Sequence, residues 1–157
     1  MSLTIDRASL LVQVPGAVTL AQLEAALGDE GLTLGLDGKV HNTTIPIADW
    51  IARGAPGAPS PFDDPADHLL AGVTATLLNG RRLDIRPGPR RAVGPDLIAL
   101  VLGAGERFAT VDRAWLRVHL KGTPRAGAAH PVPDAPLSAE ESALIDAIAH
   151  ELRRNDA

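Results

Sequence analysis

The chain has 157 residues, 45% of them hydrophobic, a formal net charge of −4 and no cysteine. That length predicts one compact core, and the lack of cysteine excludes disulfides, thiolate nucleophiles and cysteine-based zinc or iron–sulfur sites in this chain. No apolar run approaches the ~18–20 residues of a membrane helix, and Met1 to Arg7 holds no basic region followed by an apolar stretch, so a cytoplasmic protein without a membrane segment is the expectation.

Charge is unevenly placed. Residues 18–80 carry −6, residues 81–125 carry +6 and residues 126–157 carry −4. A basic middle between acidic ends is either a surface for a ligand or partner, or self-complementary packing.

In chain order, Ser9–Val14 has strand composition and is stopped by Pro15-Gly16. Thr19 and Gln22 form a capping box for a helix with Leu20, Leu23 and Leu27 on one face and Gly28 as its stop. A short strand over Leu32–Leu36 precedes an Asp37-Gly38 turn. A second short helix follows Thr44, with Ile47, Trp50 and Ile51 on one face and Gly54 at its end. Residues 54–67, with four Pro and two Gly, read as a surface loop. Val73–Leu78 and Arg81–Ile85 flank Asn79-Gly80, which predicts a β-hairpin with a type I′ turn. A helix over residues 94–102 and a last strand within Phe108–Leu120 complete the domain. In that strand Ala114, Leu116, Val118 and Leu120 alternate with Trp115, Arg117 and His119.

Residues 123–136 hold four Pro and little to bury, and read as a linker. Ser138 and Glu141 then form a second capping box, opening a helix to about Arg154 with Leu144, Ile148 and Leu152 in a narrow apolar stripe. That helix either folds back on its own domain or grips a partner protein or a second copy of the chain. The succession predicts an α+β domain, its antiparallel sheet covered by helices on one face.

Chemistry is sparsely marked, and no catalytic residue is assigned. None of the five Ser sits in a Gly-x-Ser-x-Gly setting. The five His have no spacing of three or four, so no metal site is assigned. Asp63, Asp64 and Asp67 read as a solvated loop. Arg81, Arg82, Arg86, Arg90 and Arg91 form the one cluster suited to phosphate or carboxylate groups, or else a plain solvated hairpin end. Overall acidity and few aromatics argue against nucleic acid as a partner.

Several segments in collinear order, over about residues 10–122, resemble the FAD-linked oxidase family of vanillyl-alcohol oxidase and p-cresol methylhydroxylase, nearest to the FAD-binding subunit of glycolate oxidase. Val12 to Leu27 is similar to the family's strand, G-x-T-L-x-x-L turn and helix. Thr44-Ile45 and Trp50-Ile-Ala-Arg-Gly54 stand where the family has its Thr-Ile-Gly-Gly…Ile-Ala flavin loop. His68 to Gly80 is similar to its hairpin, Val93-Gly-Pro-Asp-Leu97 to its Ala-Gly-Tyr-Asp-Leu, and Gly103 to Arg117 to its closing Gly-Ser-Glu-Gly segment and strand.

The resemblance implies the second FAD-binding subdomain over residues 1–122, the linker 123–136 and a C-terminal amphipathic helix over 137–157. It implies FAD contacts at Thr44, Ile45, Ala52, Gly54, Ala109, Thr110 and Val111, with the Arg cluster neutralising phosphate. The family's pyrophosphate-cradling subdomain and substrate cap have no counterpart in these residues. Pro46-Ile47 replaces the paired Gly of the flavin loop, and Glu106 replaces a Gly of the closing segment. Pro lacks an amide donor, and a side chain obstructs close backbone approach. FAD binding is therefore expected to be weak or absent in the isolated chain. The implied function is a degenerate FAD-binding-type domain acting as a binding or assembly module without independent catalysis. The alternative is the flavin-binding part of a split FAD-dependent oxidoreductase, of the 2-hydroxy acid or alcohol oxidase type, completed by a partner chain.

Overall fold

A short hairpin opens the chain in a computed structural model that describes residues 2–36, 42–58, 68–88, 97–123 and 137–154. Strand β1 (Thr4–Asp6) pairs antiparallel with β2 (Leu11–Pro15). Three residues are too few to show alternation, so the pattern did not announce β1. The Asp6 carboxylate accepts from the amides of Ala8 and Ser9 at 3.0 and 3.1 Å, which shapes the connecting loop. Hydrogen bonds from the Ser9 side chain, the Ser9 amide and the Ala8 amide hold its pKa below the usual carboxylate value. Along β2, Val12 and Val14 point into the core.

Helix α1 (Leu20–Asp29) begins at the predicted capping box: the Thr19 hydroxyl accepts from the Gln22 amide at 3.2 Å and Gln22 Oε1 from the Thr19 amide at 3.0 Å. Leu20, Leu23 and Leu27 are buried. The stop is not Gly28, which lies inside the helix, but Gly31, whose φ of 70° is the left-handed conformation that favours glycine. Strand β3 (Leu32–Thr33) is shorter than the expected 32–36. Glu24 explains the loss, because its carboxylate takes the Leu34 amide at 2.8 Å and the Thr33 hydroxyl at 3.1 Å. The Asp37-Gly38 turn lies outside the described residues.

Helix α2 (Ile47–Ala52) buries Ile47, Trp50 and Ile51 as the spacing predicts. Its N-cap is Pro46; the Thr44 hydroxyl instead donates to Asn42 Oδ1 at 2.8 Å. The Trp50 indole donates to the Pro56 carbonyl at 3.0 Å. Most of the Pro-rich loop, with Asp63, Asp64 and Asp67, lies outside the described residues. Strands β4 (Leu70–Leu77) and β5 (Arg82–Ile85) form the predicted hairpin. Its turn differs from type I′: Leu78, Asn79 and Gly80 make a three-residue loop in which Gly80 alone has positive φ, 77°, and its amide donates to the Leu77 carbonyl at 2.9 Å. That is the turn with a left-handed Gly in a bulge.

Of the expected helix over 94–102, the described part is one 3₁₀ turn, Leu97–Leu100. Strand β6 (Ala109–Arg117) and the two-residue β7 (His119–Leu120) follow. Ala114, Leu116 and Val118 are buried, whereas Leu120 is 56% exposed because β7 leaves the main sheet to pair with β3.

The main sheet has the order β1-β2-β6-β4-β5, antiparallel throughout. β2 and β4 both run antiparallel to β6, so they run parallel to each other, and their connection carries α1 and α2 across one face. There Val12, Val14, Val73, Ala114 and Leu116 meet Leu20, Leu23, Leu27, Trp50 and Ile51 in one core. The fold is α+β, with an antiparallel sheet, helices on one face and a C-terminal helix.

That last helix, α3 (Ala139–Arg154), starts where the sequence predicts. The Glu141 amide donates to the Ser138 hydroxyl at 3.2 Å and Glu141 Oε2 accepts from the Ser138 amide at 2.8 Å. The bonds from the Ser138 amide and hydroxyl hold the Glu141 pKa below its usual value. The 123–136 stretch lies outside the described residues apart from Thr123.

Gly16 to Ala and Gly28 to Ala separate two roles of glycine. A methyl group on Gly16 would lie 2.3 Å from the Val111 carbonyl oxygen, whereas on Gly28 it meets nothing within 4 Å. Gly16→Ala is expected to destabilise the chain by about 1–3 kcal/mol and Gly28→Ala to stabilise it by up to about 1 kcal/mol, read from urea midpoints. A second prediction concerns pH. Because Glu141 has a lowered pKa in the folded chain, its support of α3 is present above the ordinary glutamate value and lost as pH falls through the lowered one. Backbone chemical shifts of residues 139–143 should therefore move toward coil on acidification, and Glu141→Gln should flatten that response.

Candidate functional site

The positions implied as flavin contacts gather around α2, but on surfaces the chain already uses. The backbone from Thr43 to Ala48 is stitched to the turn before α1. Ala21 donates to the Thr43 carbonyl at 2.8 Å, Leu20 to Ile45 at 3.1 Å, Ile47 to Val18 at 2.8 Å and Ala48 to Gly16 at 2.9 Å. Ile45 is buried and Thr44 exposed. At the other end of α2, Ala52 and Gly54 are half-buried, and the loop after the 3₁₀ turn closes on them: Gly103 donates to the Ile51 carbonyl at 3.0 Å and Gly105 to Ala52 at 2.9 Å. Gly54, with φ of 83°, donates to Ile51 at 2.9 Å.

In β6, Ala109 and Val111 face the core and are buried, while Thr110 is exposed opposite Thr76 on the other side of the sheet. Six of the seven positions thus lie around α2 and the core side of β6, and Thr110 does not. Glu106 is exposed in the loop before β6.

Pro46 and Ile47 are structural in this chain. The Pro46 carbonyl accepts the first helical bond of α2, from Trp50 at 2.9 Å, and the Ile47 side chain is fully buried. A flavin cradle needs amides aimed outward and a backbone that a ligand can approach. Here the Ile47, Ala48, Gly54 and Gly105 amides are spent inside the fold, so these four donors are not free for a ligand.

The Arg cluster lies elsewhere. Arg82 and Arg86 stand on the outer face of β5, with the sheet between them and α2, and Arg90 and Arg91 lie outside the described residues. On that outer face a hollow of about 670 Å³ opens over the sheet, bordered by Leu11, Arg82, Arg86, Pro87, Arg113 and Trp115. Sequence reasoning noted the Arg of β5 and the alternation of Trp115 with its neighbours separately. Joining them needs the strand order β6-β4-β5, which no local pattern carries. His68, read from sequence as an ordinary surface or strand residue, is fully buried, and its Nδ1 accepts from the Leu70 amide at 3.1 Å. Among the described residues no group of three or more His, Cys, Asp or Glu could hold a metal ion, and no helix is long and apolar enough to cross a membrane.

Two solved structures of alkyldihydroxyacetonephosphate synthase, in different crystal forms, share this architecture, with TM-scores of 0.59 and 0.58 at 19% and 18% identity. The likeness is one of fold, between this chain's sheet with its helices and part of that synthase. Each match covers 74% of this chain but only 20% and 22% of the synthase, so the chain spans about a fifth of those proteins. No family model and no curated protein matches the sequence.

Restoring the family's glycines is expected to damage the fold without creating a site. Ile47→Gly removes a fully buried side chain and loosens the first turn of α2, at a cost of about 3–5 kcal/mol. The Tm of the variant, with and without added FAD, checks this: a large drop is expected, and FAD should leave it unchanged.

Proposed function

We propose that this chain is a binding or assembly module built on an FAD-linked-oxidase-type subdomain, without independent redox catalysis. One observation carries the reading: Ile47 fills the core where a flavin loop would need glycine, and its amide is bound to the Val18 carbonyl at 2.8 Å. A fold of this kind outlives its chemistry when the ligand-facing backbone is turned to packing.

A second reading is favoured by the surface-exposed Thr44 and the half-buried Ala52 and Gly54, which gather around α2. In it the chain forms one wall of a flavin site whose pyrophosphate loop and substrate cap belong to another polypeptide. Flavin is then retained only once that polypeptide is added.

Equilibrium dialysis and thermal unfolding of the purified chain with FAD test the module reading. The protein should be colourless after dialysis, and its Tm should not change. Flavin retained by the chain alone, with the stabilisation of about 2.7 kcal/mol that ligand at a hundredfold its Kd confers, would contradict the module reading.

A further inference from the structure

Two surfaces of this chain leave apolar side chains exposed beside charged ones, and their chemistry is complementary. The first is the hollow on the outer sheet face. Gly72 lies opposite Trp115 in the β4–β6 register, and a methyl group there would sit 2.5 Å from the Ile85 carbonyl oxygen. Glycine is therefore required, and it leaves the Trp115 ring with no side chain across from it on β4, while Gln13 lies opposite on β2. Leu11, Trp115 and Pro87 supply apolar surface, and Arg82, Arg86 and Arg113 surround it.

Two acids share this lining, but both are engaged. Asp6 accepts from the Ala8 and Ser9 amides. Asp84 accepts from the Thr74 hydroxyl at 3.3 Å and lies 3.9 Å from Arg86. The side chains of Arg82 and Arg113 have no hydrogen bond or ion pair with another described residue. With Asp6 and Asp84 ionised against three Arg, the described lining keeps one positive charge in excess, over a floor that mixes Leu11, Trp115 and Pro87 with Gln13 and Thr74.

The second surface is α3. Leu144 is 63% exposed and Ile148 37% exposed, and with Leu152 they form one stripe over three turns. At 100° per residue, Glu140 and Glu151 fall along one edge of that stripe, beside Leu144. Glu151 makes an ion pair with Arg154 at 3.0 Å, both side chains being about two-thirds exposed, which binds it only weakly. One side of α3 is already covered, with Ala149 buried and Ile145 and Leu152 half-buried, whereas Leu144 and Ile148 stand in solvent beside it; apolar side chains left in solvent gain from burial against another layer. No residue of α3 borders the hollow of its own chain.

We propose that α3 of one chain docks in the Arg-rimmed hollow of a second copy, Leu144 and Ile148 against Trp115 and Leu11, with Glu140 and Glu151 toward Arg82 and Arg113. The exchange is reciprocal and closes as a two-fold dimer, one patch pairing with the other in both directions. Residues 123–136 connect the two surfaces with an extended reach of roughly 45 Å, enough to cross to a neighbouring copy. The proposal rests on the assembly reading above and names its partner.

Light scattering on the full chain, with FAD retention measured on the same sample, tests it. The expected mass is twice 16.4 kDa at about 100 µM, and a monomer at that concentration, whether or not α3 docks on its own sheet, overturns the proposal. Arg82→Glu with Arg113→Glu should raise the dimer dissociation constant roughly tenfold or more, as should Leu144→Glu with Ile148→Glu; circular dichroism confirms that each variant remains folded. Adding Glu140→Arg and Glu151→Arg to the sheet-face pair should restore dimerisation. A dimer indifferent to the sheet-face variant, as two α3 helices pairing with each other would give, also overturns it. A flavin-free monomer defeats the exchange and leaves the module reading intact, whereas a flavin-loaded chain defeats the module reading.

Discussion

The close approach at Gly16 is the constraint on which the rest of the fold depends. Its amide donates to the Asp112 carbonyl at 2.8 Å and its carbonyl accepts from Ala48 at 2.9 Å, so one residue joins β2, β6 and the start of α2. With Cβ absent, the Val111 carbonyl can sit where a methyl group would otherwise be. From this point the turn before α1 runs beside residues 43–47, and the Thr19–Pro46 bridge holds the two segments in register. The entry to α2, the seating of Ile47 and the placement of Trp50 follow from that strapping.

The same strapping decides the chemistry. Backbone amides that would face a ligand in a cradle are here the ties between α1, α2 and β6. An amide bound to a carbonyl at 2.8–3.0 Å inside the fold cannot serve a phosphate without giving up that bond. Packing and ligand binding compete for one set of donors, and in this chain packing holds them. The charge that a phosphate would need lies across the sheet, on the outer ends of β5 and β6.

Local signals were legible in the sequence where one residue's side chain completes another's backbone. Both capping boxes, Thr19 with Gln22 and Ser138 with Glu141, are such cases. The α2 stripe was legible for a related reason, since three buried side chains at helical spacing need no tertiary information. Asn79-Gly80 marked a hairpin, but the choice between a two-residue turn and a three-residue loop depends on register against β6, which breaks between Leu70 and Gly72 and again between Thr74 and Ala75. Gly28 misled as a stop because a glycine in a last helical turn and a glycine just beyond it look alike until φ is known. The outer hollow was illegible because its residues come from all five strands of the main sheet, whose order is set by the crossover, not by neighbours in sequence. The α+β fold, an antiparallel sheet helix-covered on one face, was nonetheless readable from the order of elements, and the likeness to FAD-linked oxidases carried that reading further.

Hydrogen–deuterium exchange of the full chain tests most directly whether the ligand-facing donors are spent inside the fold. The account predicts that the Gly16, Ile47, Ala48, Gly54 and Gly105 amides are protected in the flavin-free chain, and that saturating FAD leaves their exchange unchanged. Fast exchange at Ile47, Ala48 and Gly54 that slows on adding FAD would contradict it.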